Sequence, residues 1–417
     1  MHSNPFFINS NLCIEKNDLT SFSNFMDSMA GNTGNSYITY ALIKTCFGKL
    51  RKINHIQNIY NYDFTKQDRD IDYINNNCTH VFLILQDQIR IAESYGLQLP
   101  YKNIQDFISK LNKPVIIAGL GANSFNGFDK DFHKKLNPDL INFLKFLSDH
   151  CINIGIRGHY TEEILHNIGI DNTTVIGCPS YFEMGQNRKL IKKDSINIDK
   201  ILLTSYIPID ILQNNYQIMQ DYQEDRVIKA VGFADFDGIE DIFEINKLKA
   251  RKYKIYSNIE KWKSFVNKFD FSIGNRVHGS ILSINSGTPT ICCNRDSRAT
   301  EMCQFLSIPH IINPQEYDIT ELYNSIDFDL INNSYKNLYE KYLLFLNTNN
   351  LNVTSSKTTK NVVKFNNLTL YTRKFWFNLF LKNLHKKINV IYNKTTTVLR
   401  FLKRLIRFIW IIKSKGI

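Results

Sequence analysis

Short, wholly apolar runs alternate with stretches of helical periodicity along most of this chain, and that alternation restricts its fold more than any other feature. Val81–Leu85, Val115–Ala118, Ile152–Ile156 and Thr174–Ile176 have strand length. Between them, Ile104–Leu111 and Leu140–Asp149 repeat their apolar residues at helical spacing. Strands that are apolar on both faces belong to a parallel sheet covered by helices on both sides. After a polar, Lys-rich linker at about 184–199 the pattern restarts. Ile201–Leu203, Val227–Val231, Phe271–Ile273 and Thr290–Cys293 read as strands, and Ile259–Phe269 and Val277–Asn285 as helices. The expected class is therefore α/β, with two lobes (1–190 and 195–347) and a ligand cleft between them. A Leu- and aromatic-rich helix over Ser334–Asn347 is expected to cross back between the lobes, by analogy with other two-lobed folds. Residues 348–417 read as a polar spacer followed by a basic, amphipathic helical tail.

Charge is divided unevenly. The net charge is +12, yet no Asp or Glu follows Glu340, and residues 341–417 hold sixteen Lys and Arg, so the preceding body nets −4. The eight cysteines show no CxxC pair or disulfide-like spacing, which points to reduced thiols in a cytoplasm and gives no reason to expect a metal. The N-terminus lacks a charged leader followed by an apolar core, and no apolar run approaches the ~20 residues of a spanning helix.

The stretch 271–298 carries the chemistry. An apolar run ends at Gly274, Arg276 and His278 follow two residues apart, and a small-residue helix comes next. Free N–H groups at a helix start favour anions. An arginine fork grips carboxylate or phosphate, and an imidazole moves protons near neutral pH. Arg157 ends another apolar run, and Asp296 and Arg298 open the helix after the second buried strand. Two Gly-rich loops complete the set, Gly31-Asn32-Thr33-Gly34-Asn35 and Gly119-Leu120-Gly121-Ala122-Asn123. Cys178-Pro179-Ser180 is expected to start the hinge, with no identifiable partner that would make Cys178 a nucleophile.

These segments, with Ile154-Gly155-Ile156-Arg157-Gly158 and Gly177-Cys178-Pro179-Ser180, resemble the polysaccharide pyruvyl transferase family in content and order. The resemblance implies two Rossmann-like lobes of GT-B-like arrangement. It also implies transfer of pyruvate from phosphoenolpyruvate to glycan hydroxyls as a ketal, in capsule or exopolysaccharide synthesis. Arg276 and His278 are then the catalytic pair, with His278 as the acid and Arg157 as a second anion clamp. Arg298 faces the phosphate, and Asn32, Gly34, Asn35 and Asn123 contact substrate. The family more often has Asp where Asn35 stands, so Asn35 is assigned to acceptor binding or loop packing. His159 is not expected to act. No cofactor or metal is expected beyond the donor substrate.

Two other readings stay open. One is a nucleotide-sugar glycosyltransferase of the same shape, for which Asp296 and Glu301 are the available carboxylates; the other is a non-catalytic scaffold docked at a membrane. Nucleic-acid binding fits the tail's charge, but the body offers no matching recognition module. The mixture of Lys and Arg with Phe375, Trp376, Phe401, Phe408 and Trp410 fits an anionic membrane better. The expected partners are phosphoenolpyruvate, a glycan acceptor, free or lipid-linked, and a membrane surface met through residues 371–413. The expected place is the cytoplasm, peripheral on the inner face of the membrane.

Overall fold

Seven short parallel strands form the first layer. β1 (Phe6–Ile8), β2 (His55–Ile56), β3 (Val81–Leu83) and β4 (Val115–Ile116) pair in the order β2-β1-β3-β4. β5 (Ala118–Leu120), β6 (Ile154–Ile156) and β7 (Thr173–Val175) pair in sequence. Ile117 alone separates β4 from β5, and its carbonyl accepts from Gly155 N at 2.9 Å, so the layer runs on through it. Six helices belong to this half: α1 (Phe22–Ser28), α2 (Asn35–Phe47), α3 (Asp68–Asn77), α4 (Tyr101–Ser109), α5 (Pro138–His150) and α6 (His159–Asn167). The ends and faces of α5 show why such segments are helical. Asn137 caps it by accepting from Asp139 N at 2.8 Å, Pro138 fills its first position, and Leu140, Phe143, Leu144 and Leu147 bury one stripe. The structure, a computed structural model, describes residues 4–12, 22–48, 53–91, 99–125, 127–205, 207, 209–212, 214–220, 253–294, 296–351 and 353.

The second layer is also parallel. β8 (Ile201–Leu203), β9 (Gln217–Ile218), β10 (Tyr253–Lys254), β11 (Phe271–Gly274), β12 (Thr290–Cys293) and β13 (His310–Ile311) run in the order β10-β9-β8-β11-β12-β13. Its helices are α7 (Ile259–Val266), α8 (Val277–Asn285), α9 (Ser297–Leu306), α10 (Ile319–Asn324) and α11 (Phe328–Thr348). Every residue of α8 is buried, which accounts for its apolar and small composition on all sides. The strand expected at Val227–Val231 lies outside the described residues, as does the basic tail. Among the described residues no helix is long and apolar enough to cross a membrane.

The two lobes share one apolar cluster. Tyr37, Phe82 and Ile116 from the first meet Leu202, Trp262 and Ile281 from the second. Glu183, just past the connecting turn Pro179–Phe182, is buried and paired with Lys44 of α2 and, at 2.6 Å, with Lys263 of α7. Burial opposes ionisation of Glu183, but the two ammonium groups outweigh it and hold its carboxyl below the usual range. α11 spans both lobes. Its start packs on the second through Phe328 and Ile331, and its end reaches the first, where Asn349 Oδ1 accepts from Asn153 N at 3.2 Å. Leu351 is buried and Val353 packs beside it, so the body continues past the boundary at 347 read from the sequence.

Candidate active site

Strand ends and loops from both lobes bring four charged or titratable side chains into one buried cluster. Arg157 follows β6 and is 1% exposed. Its Nε donates to Gly119 O at 2.9 Å. A side chain at Gly121 would put its Cβ 2.5 Å from Arg157 Cδ, so the Gly-rich loop after β5 is shaped around this arginine. Asp87 lies beyond β3, in a turn where Gln86 adopts φ 55. Its carboxylate accepts from Asn123 Nδ2 at 3.0 Å and from Arg298 Nη1 at 3.1 Å. Arg298 enters from α9 of the other lobe, and its Nη2 reaches Asp296 at 3.2 Å. Asp296 also caps α9, accepting from Ala299 N at 2.8 Å.

His278 is the second residue of α8. Its Nε2 is 3.6 Å from Cys178 Sγ, which in turn lies 3.0 Å from Ser180 Oγ. The first Gly-rich loop closes over its other side. A Cβ at Gly34 would fall 2.7 Å from His278 Cβ and 2.9 Å from Nδ1, so only glycine lets the loop approach this far. Asn32 Oδ1 accepts from Gly34 N at 2.8 Å and shapes that turn. Asn35 Nδ2 donates to Met29 O at 3.1 Å, tying the loop to the end of α1. Thr33 N donates to Gln220 O at 2.8 Å, which joins the loop to the second lobe. Of the residues singled out in the sequence, Arg157, Arg298, His278, Asn123, Asn32 and Gly34 are thus brought together. Arg276 stands half-buried at the N-cap of α8 and is not among the charges that act most strongly on His278, which are those of Arg157, Arg298 and Asp87.

A profile of the polysaccharide pyruvyl transferase family matches residues 32–297, from the loop against His278 to the residue before Arg298. The chain belongs to that family. Membership makes it a transferase with a polysaccharide as its substrate class. Among solved structures, it is distantly similar to a UDP-GlcNAc 2-epimerase from Methanocaldococcus jannaschii, with 13% identity, 83% of this chain and 99% of that one covered, and a TM-score of 0.41. A functionally uncharacterised protein from Klebsiella pneumoniae is similar at 13% identity, with 74% and 93% covered and a TM-score of 0.37. No curated protein matches the sequence.

The electrostatics of this family member's cluster set its resting protonation. His278 is pushed down to about 3, first by burial and then by Arg157 and Arg298, with Asp87 opposing. The resting imidazole is therefore neutral. Burial also pushes the Cys178 thiol up, so it stays protonated. Burial disfavours a charge on Asp87, yet Arg298, Arg157 and Arg90 together hold its carboxyl well below the usual range. The site at rest thus presents two arginines, one of them answered by Asp87, beside a neutral imidazole.

One residue of the site escapes a reading of the sequence, and two that are named there gain contacts it does not record. Asp87 follows a buried apolar run, which is the one local signal it offers. Cys178 lies against His278, one hundred residues away, with its thiol held protonated. Glu301 of α9 caps α6 of the other lobe, its Oε2 accepting from Thr161 N at 2.9 Å and its Oε1 from Thr161 Oγ1 at 2.7 Å. Asp296 and Glu301, the carboxylates left open for nucleotide-sugar binding, are both engaged in caps.

Glu301 gives a pH prediction. Burial pushes its carboxyl up to about 7 against the pull of Thr161 and Arg157. A raised carboxyl favours the protonated fold, so its contribution is whole below the ordinary value of 4.5 and is lost as pH rises through 7. His278, lowered from 6.5 to about 3, acts in the opposite sense and weakens the fold as pH falls through that window. Urea unfolding of Glu301→Gln is expected to show a gain over wild type of roughly 2–3 kcal/mol at pH 8 relative to pH 5. An equal difference at both pH values would mean that Glu301 is ionised throughout.

Proposed function

We propose that the chain transfers the pyruvyl group of phosphoenolpyruvate to a pair of glycan hydroxyls, forming a cyclic ketal in the synthesis of a surface polysaccharide. The observation that supports this most is the pairing of Arg157 and Arg298, one from each lobe, beside the neutral His278. A donor with one phosphate and one carboxylate supplies two anions for two guanidinium groups. Arg276, the N-cap of α8 two residues before His278, is a third cation available to the donor. In the reaction, a proton adds to the donor's methylene carbon and the first hydroxyl oxygen bonds to the adjacent carbon. Inorganic phosphate then leaves, and the second hydroxyl oxygen takes its place. The two hydroxyl protons replace the one consumed and leave one for phosphate or solvent.

His278 acquires its catalytic proton together with the donor. An anion between the arginines offsets the two charges that depress the imidazole, so donor binding raises its proton affinity. The thiol of Cys178 faces Nε2, and the Gly34 loop faces Nδ1, which holds the ring in one orientation. The direct test is to incubate the full chain with phosphoenolpyruvate and a panel of oligosaccharides. Phosphate release coupled to a product of the mass of a pyruvate ketal is the expected result. Transfer of a sugar from a nucleotide donor, without phosphoenolpyruvate consumption, would replace this reading.

The tail is assigned to the cytoplasmic face of a membrane, where lipid-carried acceptors would meet the enzyme. Each Lys or Arg near an anionic surface contributes about 1 kcal/mol, screened within roughly 8–10 Å at physiological salt. The full chain is expected to cosediment with phosphatidylserine vesicles in a salt-sensitive manner. A chain ending at Val353, which keeps the packed end of α11, is expected to lose this and keep transfer to a soluble acceptor. Unchanged sedimentation after truncation would remove the tail from membrane binding.

A further inference from the structure

Two cavities of about 480 and 570 Å3 open beside the arginine–histidine cluster and adjoin at Phe128 and Lys130, which line both, and together they are treated as one groove with two halves. Each falls within the ~300–1,000 Å3 of small-ligand sites. The first half has Asn123 in its wall, and the second has Glu301. Asn123 is the residue whose amide holds Asp87, and the charge of Glu301 acts on Arg157. The inner wall of the groove is therefore the outer wall of the cluster.

The groove has an aromatic side and a polar rim. Phe125 and Phe128 are 47% and 48% exposed, among the few large apolar side chains left open to water on the body. The Phe128 ring lies 4.9 Å from that of Tyr160, and Phe305 is half-buried in the second half. Such exposed rings gathered in a concavity mark a binding surface. The rim mixes signs, with Lys135 paired to Asp129 at 2.6 Å in the first half and Glu163 beside Gln304 in the second. A nucleoside diphosphate would require concentrated positive charge, which this rim lacks. A pyranose matches it, since its C–H face lies flat on an aromatic ring while its hydroxyls meet donors and acceptors of both kinds.

We propose that this groove seats the glycan acceptor, with sugar rings on Phe125 and Phe128 and the reacting hydroxyls directed toward Asn123. The assignment rests on the pyruvyl-transfer reading for the identity of its occupant. The test uses a printed array of hexose- and N-acetylhexosamine-terminated oligosaccharides, probed with the full chain in the presence of phosphoenolpyruvate. Phe125→Ala/Phe128→Ala and, separately, Gln304→Trp, an exposed position where the indole fills the groove, are each expected to weaken glycan binding at least tenfold. The rise in melting temperature caused by phosphoenolpyruvate alone is expected to stay unchanged in both. If wild type and both variants hold the same glycans equally, the groove is not the acceptor site. If the wild-type chain holds no glycan while phosphoenolpyruvate still stabilises it, the groove assignment fails and the donor reading stands. If phosphoenolpyruvate gives no stabilisation, the donor reading fails, and the groove is judged by the glycan arm alone.

Discussion

Replacing Arg157 by leucine is expected to remove donor binding and activity together while the chain remains folded. The side chain is buried between Gly119 O and the Gly121 loop, so leucine keeps part of its packing. Loss of one charge-assisted clamp in a site closed to water costs about 2–4 kcal/mol of transition-state stabilisation, or roughly 30- to 1,000-fold in kcat/KM. Arg298→Ala is expected to lose less donor affinity per charge, because part of that arginine's field is already answered by Asp87 and Asp296. Steady-state kinetics with phosphoenolpyruvate, checked by near-UV circular dichroism for the fold, reads both. Activity of Arg157→Leu within a few-fold of wild type would take Arg157 out of the site.

The second large effect belongs to His278. His278→Gln is expected to lower kcat by about 10²–10⁴ with a smaller loss of donor affinity, because the imidazolium formed with the donor adds some attraction in the bound state and most of its effect in the transition state. The pH profile should move as well. The descending limb that this imidazole, as the acid, gives in the donor complex should vanish in the variant. A variant that loses only donor affinity would make His278 a binding residue and leave the acid to another group.

Much of this architecture is written locally. The run Val81–Leu85 contains β3, Phe271–Ile273 lies within β11 and Thr290–Cys293 matches β12, because strands buried on both faces need unbroken apolar sequence. The two-residue strands β2, β9, β10 and β13 carry too few residues for any pattern, and β1 has only Phe6, Phe7 and Ile8. In the site, Arg157, His278 and the glycines are legible because strand-to-helix turns and close backbone approaches demand particular residue types. What pairs with them is not. Asp87 and Arg298 are 211 positions apart, and Glu301 caps a helix that begins 142 residues before it, so no spacing records either contact. Asn35 is the intermediate case. The sequence leaves it between acceptor binding and loop packing, and its bond to Met29 O shows the packing role. The depressed proton affinity of His278 is likewise invisible in the sequence, since it comes from burial and from two arginines supplied by different lobes.

Proton uptake on donor binding tests the central claim most directly. Phosphoenolpyruvate is titrated calorimetrically into the full chain at pH 6, close to the ordinary imidazole range, in two buffers with different heats of ionisation, and protonation of the donor itself is common to wild type and variant. If the donor lies between Arg157 and Arg298 beside a neutral His278, wild type takes up more protons on binding than His278→Gln does, while both bind. Equal proton uptake in the two proteins would contradict this, because the donor would then bind without bearing on the imidazole.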